Sequence, residues 1–129
     1  MPVTSLYAGL LVALFLVLTF RVILFRRGRR VDMGDGGHRL LQRWVRAHGN
    51  FVEYAPIELL LLLLVEAAGW PAWLLHCLGV ILLVGRLSHA WSFSVEEFRP
   101  AARVVGMVLT IAMLGIAGIL CLLRGLALA

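Results

Sequence analysis

Long hydrophobic stretches alternate with short polar connections along this chain of 129 residues. Three of the stretches are residues 5–25, 71–90 and 104–123. At about 1.5 Å of rise per residue, a helix of this length crosses a hydrocarbon core about 30 Å thick. A fourth stretch, residues 51–68, is interrupted by Glu53 and Glu58. The pattern predicts an all-α integral membrane protein, a bundle of four transmembrane helices that forms one domain over residues 1–129.

Composition agrees with a membrane location. Hydrophobic residues make up 62% of the chain and the mean hydropathy is +0.97, whereas soluble domains are only about 45–50% apolar. Residues 1–7 contain no basic residue, and no small-residue cleavage site follows the first apolar stretch. We therefore expect the first helix to be retained rather than removed as a signal peptide.

The basic residues are all arginines, and they are distributed unevenly. Seven of the twelve lie between the first two apolar stretches, namely Arg26, Arg27, Arg29, Arg30, Arg39, Arg43 and Arg46. Arg99 and Arg103 flank the third connection. By the positive-inside rule, the first connection (residues 26–39) and the third face the cytoplasm, and both termini face the other side. Nucleic acid is not an expected partner, because a long basic face with interleaved aromatic residues is missing.

Polar residues form a stripe on the predicted second helix. Its members are Arg39, Arg43, Arg46, Asn50 and Glu53, which together with the apolar Ile57 fall within an arc of roughly 80° at helical periodicity. Charged side chains at membrane depth are costly and usually face a bundle interior or a wet cavity, so Glu53 is a candidate functional residue. The alternative is that Arg46, Asn50 and Glu53 satisfy one another and hold helices together. Glu58 and Glu66 are expected on other faces.

Other residues that could take part in a functional site also have structural explanations. Arg86 and His89 lie one turn apart near the cytoplasmic end of the third helix. They could line a site, or they could be a snorkelling arginine and a hydrogen-bonded histidine. Cys77 and Cys121 lie inside apolar stretches without CxxC or histidine at metal spacing, so we expect small core residues and no metal site.

Three motifs carry a resemblance to a known family. The segment Arg46-Ala47-His48-x-Asn50-x-x-Glu53-Tyr54-x-Pro56 resembles the second-helix signature of the MAPEG family, the membrane-associated proteins in eicosanoid and glutathione metabolism. Gly85-Arg86-x-x-His89-Ala90 and Arg103-Val104-x-Gly106-Met107 resemble its bacterial branch. The resemblance covers the whole chain, including the four spans and the arginine-rich first connection.

The resemblance implies a homotrimer in a bacterial inner membrane that binds glutathione between neighbouring subunits on the cytosolic side. Glutathione would be a co-substrate, and a transferase or peroxidase would use its thiol against lipophilic electrophiles, as in detoxification. Because the family also contains members that bind without catalysing, a non-catalytic glutathione- or lipid-binding protein is the alternative. The small residues Ala102, Gly106 and Thr110 would allow helices to approach closely at a subunit boundary.

The resemblance also assigns roles to individual residues. Arg46, Asn50 and Glu53 match glutathione-binding positions, and Tyr54 matches a tyrosine that some members use. On the first helix, Arg26 is the nearest match to a binding arginine and Arg21 is its rival. Arg103 matches the arginine proposed to activate the thiol. The tyrosines that eicosanoid enzymes carry near the join of the third and fourth helices are missing, so an eicosanoid substrate is not supported.

These residue types suit glutathione, which carries two carboxylates, an amine and a thiol. Arginine forks can bind carboxylates in bidentate geometry. A thiol with a pKa of about 8.5 is mostly protonated at neutral pH and must lose its proton to attack. Pro100 predicts the start of the fourth helix and places Arg103 in its first turn, where the helix end and the guanidinium both favour an anion. An interfacial anchor is the alternative for Arg103. A transporter is disfavoured because the polar residues cluster at one membrane face.

Overall fold

Four helices account for most of the chain. The computed structural model describes residues 1–94, 97 and 99–128, and of Leu128 only the backbone. The helices are α1 (Pro2–Arg29), α2 (Arg39–Ala67), α3 (Ala72–Ser92) and α4 (Pro100–Leu128). The predicted all-α architecture is confirmed. By length and composition, α1, α3 and α4 can cross a membrane. That α2, which carries the polar stripe, also crosses the membrane stays a prediction.

The helices run alternately up and down, as polar contacts at the two ends of the bundle show. At one end, the Glu66 carboxylate of α2 accepts hydrogen bonds from the backbone N–H groups of Val3 (3.0 Å) and Thr4 (2.8 Å) in the first turn of α1. These N–H groups have no partner within their own helix, so Glu66 caps α1. At the other end, Arg21 of α1 donates to Ser94, just after α3. The first turn of α1 and the end of α4 therefore lie opposite the first connection and the end of α3.

A core of aliphatic side chains joins the helices. Its most buried members are Leu11, Leu18, Leu62, Val65, Leu78, Leu82, Met113 and Ala117. Helices α3 and α4 approach closely at Gly106, where an added Cβ would lie 2.7 Å from the backbone nitrogen of His89 and 2.9 Å from the Gly85 carbonyl oxygen. Ser88 of α3 also donates to the Ala102 carbonyl at 2.8 Å. The small residues of α4 thus pack against α3 of the same chain, so they give no support for a subunit boundary.

Two local expectations were wrong. Cys77 is exposed on the surface of the bundle rather than buried in its core, and Cys121 is only partly buried. The first connection is shorter than predicted, because α1 continues through Arg29. Arginine is a good helix former, and a cation near a helix C-terminus is stabilised by the helix dipole. Arg30 then ends α1 in the left-handed conformation, with φ 55°.

Candidate functional site

A polar cavity of about 300 Å³ opens at the end of the bundle that carries the first and third connections. Its lining comes from three helices and the residue that follows α3: Arg46, Asn50 and Tyr54 of α2, His89 of α3, Phe93, and Arg103 and Met107 of α4. Steps of four residues keep each helix's contribution on one face. Five residues that the sequence singled out, Arg46, Asn50, Tyr54, His89 and Arg103, are thus brought together by the fold.

Glu53 lies beside this cavity and binds one of its arginines. The Glu53 Oε1 lies 2.9 Å from Arg46 Nη1, and Oε2 lies 3.4 Å from Nη2. Both side chains remain about half exposed, at 49% and 58% respectively. Arg46 and Glu53 therefore pair with each other across two turns of α2, which is what the structural alternative to a ligand site predicted for them. Both side chains nevertheless stay accessible from solvent.

Asn50 has a different partner. Its side-chain oxygen accepts a hydrogen bond from Arg86 Nη1 at 2.9 Å, and its backbone oxygen lies 3.4 Å from the same atom. The amide nitrogen of Asn50 is directed to the sulfur of Met107, 3.9 Å away, on the cavity wall. Only 4% of Asn50 is exposed. Asn50 therefore presents the N–H group of its amide to the cavity.

Arg86 lies beneath the cavity and does not line it. It is 2% exposed, donates through Nη2 to Thr110 on α4, and holds Nε 3.5 Å from the Glu58 carboxylate. Its guanidinium carbon lies 5.4 Å from the centre of the Tyr54 ring. A snorkelling role for Arg86 is therefore wrong, because the side chain turns into the bundle, where it has polar partners.

Arg103 projects from the first turn of α4, whose first residue is Pro100 as predicted. Its backbone N–H donates to the Arg99 carbonyl at 3.3 Å. The guanidinium is exposed and its carbon lies 5.9 Å from the centre of the Phe93 ring. Within the part of the chain that the structure describes, Arg103 forms no ion pair. A cation without a carboxylate partner on a cavity wall suits an anionic ligand.

The two first-helix candidates lie elsewhere. Arg26 lines a separate cavity of about 210 Å³ with His48, and it donates to the Gly34 carbonyl at 2.9 Å. The Arg21 guanidinium carbon lies 5.3 Å from the Trp44 ring centre. No Cα of α1 comes within 8 Å of a Cα of α4 among the described residues. Neither Arg21 nor Arg26 lines the cavity of Arg103, although Arg21 donates to Ser94, the residue after the cavity residue Phe93.

Glu58 is the residue whose role the sequence did not reveal. It lies on another face of α2 than Arg46 and Glu53, as expected, but it is completely buried and paired with Arg86 below the site. Asn50, Tyr54 and Glu58 are spaced by four residues, which places them in a row along α2. That spacing, together with Arg86 as the one arginine of α3, could have indicated the pair. Over residues 1–94, 97 and 99–128, no three His, Cys, Asp or Glu side chains form a group that could hold a metal.

A comparison with known protein families identifies the family of the chain. The model of the MAPEG family matches residues 4–123, from the first turn of α1 almost to the end of α4. The chain belongs to the MAPEG family. The resemblance inferred from the segment of Arg46 to Pro56 is thereby confirmed, and the protein is an integral membrane protein.

Two curated proteins are similar to this MAPEG chain. Both are named inner membrane protein YecN, one from Escherichia coli K12 and one from Escherichia coli O6:H1. Each is 43% identical over 97 residues, which cover 75% of this chain and 74% of the relative. Their name states a membrane location but no reaction, so the chemistry has to be argued from the cavity of this MAPEG protein.

Proposed function

We propose that the protein is a membrane-bound glutathione transferase or peroxidase that acts on lipophilic electrophiles. The observation that carries the proposal is the convergence of Arg46, Asn50, Tyr54, His89 and Arg103 on one cavity in a chain of the MAPEG family. Two guanidinium groups and an amide N–H provide donors for the two carboxylates of glutathione. Glu53 can accept the ligand amine if it releases Arg46.

Arg103 has the chemical role in this proposal. A cationic side chain in the first turn of α4 adds to the positive end of the helix dipole, and both stabilise a thiolate relative to a thiol. The thiol proton passes to solvent, and the thiolate sulfur then forms a bond to the electrophilic carbon as its leaving group departs. In the peroxidase reaction, two glutathione molecules become a disulfide while the hydroperoxide is reduced to an alcohol and water.

The proposal includes a homotrimer with sites shared between subunits, and the position of Arg26 supports it. Within one chain, Arg26 lines the cavity beside His48 and Arg103 lines the candidate site, so the two arginines face different cavities. A neighbouring subunit can supply Arg26 instead. The trimer and the shared site are therefore part of the proposal.

The proposed location is a bacterial inner membrane with the cavity on the cytoplasmic side. The cavity lies at the end of the bundle that carries the arginine-rich first connection, which the positive-inside rule assigns to the cytoplasm. Both termini would then be on the opposite side. Intracellular glutathione could enter from water, while an apolar second substrate could enter from the bilayer.

Thermal unfolding of the detergent-purified protein tests the proposal. Reduced glutathione at 100 times its Kd should stabilise the folded protein by about 2.7 kcal/mol. S-methylglutathione keeps both carboxylates and the amine and should also stabilise it, whereas an equal concentration of glutamate and glycine should not. Turnover is then followed with 1-chloro-2,4-dinitrobenzene and with cumene hydroperoxide. Stabilisation without turnover would identify a non-catalytic binding protein, and no stabilisation would contradict the proposal.

A further inference from the structure

A buried chain of polar contacts lies under the candidate site. Glu58 of α2 pairs with Arg86 of α3 at 3.5 Å, Arg86 donates to the Asn50 side-chain oxygen at 2.9 Å, and Asn50 lines the cavity. Glu58 and Arg86 are both excluded from solvent, with side chains 0% and 1% exposed. Neither residue touches the cavity, so any effect they have on a ligand must pass through a neighbour.

The chemistry of arginine determines which side of the Asn50 amide faces the cavity. A guanidinium has only donors, so the Asn50 atom that meets it has to be the carbonyl oxygen. The amide nitrogen is then left on the cavity side, where Met107, a weak sulfur acceptor, is its nearest partner at 3.9 Å. Without Arg86, the two ends of the amide could exchange places at little cost, and the cavity could meet an acceptor instead.

A buried ion pair is a poor way to gain stability, since apolar residues of similar volume often serve as well or better. Both oxygens of Glu58 lack a hydrogen bond within the described part of the chain, so this pair is not optimised for stability. Arg86 also contacts Tyr54 and Thr110. It therefore connects two cavity residues of α2 to α4 and has few alternative positions.

We propose that Glu58 and Arg86 are positioning residues that hold the Asn50 amide with its N–H group toward the cavity, so that the site selects a carboxylate of glutathione. This inference rests on the proposed function, because the carboxylate belongs to that ligand. Arg86 sets the direction of the amide, and Glu58 holds Arg86 at the depth where it can do so.

A double-mutant cycle with reduced glutathione as the probe tests the inference. Glu58→Leu combined with Arg86→Met replaces the ion pair with apolar side chains, which avoids leaving one buried charge unpaired. In the otherwise unaltered chain, this change should weaken glutathione binding about tenfold, as expected for a lost hydrogen bond to a charged group. In a chain that already carries Asn50→Ala, the same change should weaken binding by less than about twofold.

A merely structural pair gives a different pattern. It would weaken binding by the same factor in both backgrounds, and that additivity would overturn the inference. The control is Ser88→Ala, which removes another polar contact between α3 and α4 but touches neither the cavity nor Arg86. It should leave the affinity for glutathione unchanged.

Asn50→Asp provides a second arm that does not require the ion pair to be removed. Aspartate keeps an oxygen for Arg86 but offers no N–H to the cavity, so glutathione affinity should fall about tenfold or more while the melting temperature stays near that of the unaltered protein. Unchanged affinity in this variant would overturn the inference even if the double variant failed to fold. If the unaltered protein binds no glutathione at all, the proposed function is contradicted and the inference with it. If the unaltered protein binds glutathione and the losses of affinity in the two backgrounds are additive, the inference is contradicted but the proposed function is not.

Discussion

The carboxylate of Glu53 holds the guanidinium of Arg46 at the mouth of the cavity, with 2.9 Å between their nearest atoms. The two residues are separated by two turns of α2, so only extended side chains bring them together. Pairs as exposed as this one contribute about 0–1 kcal/mol to stability. Their arrangement therefore matters more for where the arginine points than for how firmly the helix is held.

Glu53→Gln should separate these two effects. We expect a change of less than about 1 kcal/mol in the free energy of unfolding but a loss of about 1–3 kcal/mol in glutathione binding, because a charged contact is lost in the site. Calorimetric titration and thermal unfolding measure the two quantities. Asp32→Asn, which removes an exposed carboxylate in the first connection, is the matched control. Equal affinities in the two variants would exclude Glu53 from the site.

Arg103→Ala should leave much of the glutathione binding intact and abolish most of the thiolate signal in ultraviolet difference absorbance. The reason is that the guanidinium and the end of α4 together favour the anion. Arg99→Ala removes a neighbouring exposed arginine, which lies over Trp91 instead of in the cavity, and should retain the signal. If Arg103→Ala keeps both thiolate and turnover, Arg103 is an interfacial anchor and Arg26 becomes the next candidate.

Mixed trimers test whether sites are shared between subunits. Arg26→Ala and Arg103→Ala chains should each be inactive alone, but co-expression in equal amounts should restore about a quarter of the activity. In about a quarter of the sites, Arg26 comes from an Arg103→Ala chain and Arg103 comes from a neighbouring Arg26→Ala chain. Arg46→Ala mixed with Arg103→Ala is the control. Those two residues line one cavity within a single chain, so no site in that mixture has both. Recovery in the control, or none in the first mixture, argues against the shared site.

Cysteine labelling tests the orientation in the membrane. In a background with Cys77→Ala and Cys121→Ala, an impermeant maleimide applied to intact cells should label Pro2→Cys but not Met33→Cys. Met33 lies in the first connection and is 87% exposed, so protection there would come from the membrane rather than from burial. Labelling of Met33→Cys alone would place the cavity in the wrong compartment for cytosolic glutathione.

Gly106→Ala should destabilise the bundle by about 1–3 kcal/mol, as typical for overpacking. The added Cβ would meet the backbone of His89 at 2.7 Å, and backbone cannot move aside as a flexible side chain can. Gly115→Ala on the same helix has open space and is the matched control. The melting temperature in detergent should fall for the first variant only. A shift of equal size in both would mean that the close approach of α3 and α4 carries no cost.

The periodicity of the sequence was sufficient to predict the helices and the residues that α2 contributes to one side of the site. Apolar length predicts spans because lipid offers no partner for backbone polar groups, and four-residue and three-residue steps placed Arg46, Asn50 and Glu53 on one face of α2. Pro100 located the start of α4 because proline fits a first turn, where its missing N–H is not needed. These signals are local, so each can be read from a single segment.

Tertiary structure alone decided which residues meet across helices. Asn50 turned out to bind Arg86 rather than Arg46, Glu58 proved to lie beneath the site, and Cys77 was found on the surface. In one sequence, an apolar residue facing lipid is indistinguishable from one facing another helix, since both environments are apolar. The rotation of each helix about its axis depends on how neighbouring side chains interlock, and the partners of Arg86 became visible only when that rotation was known.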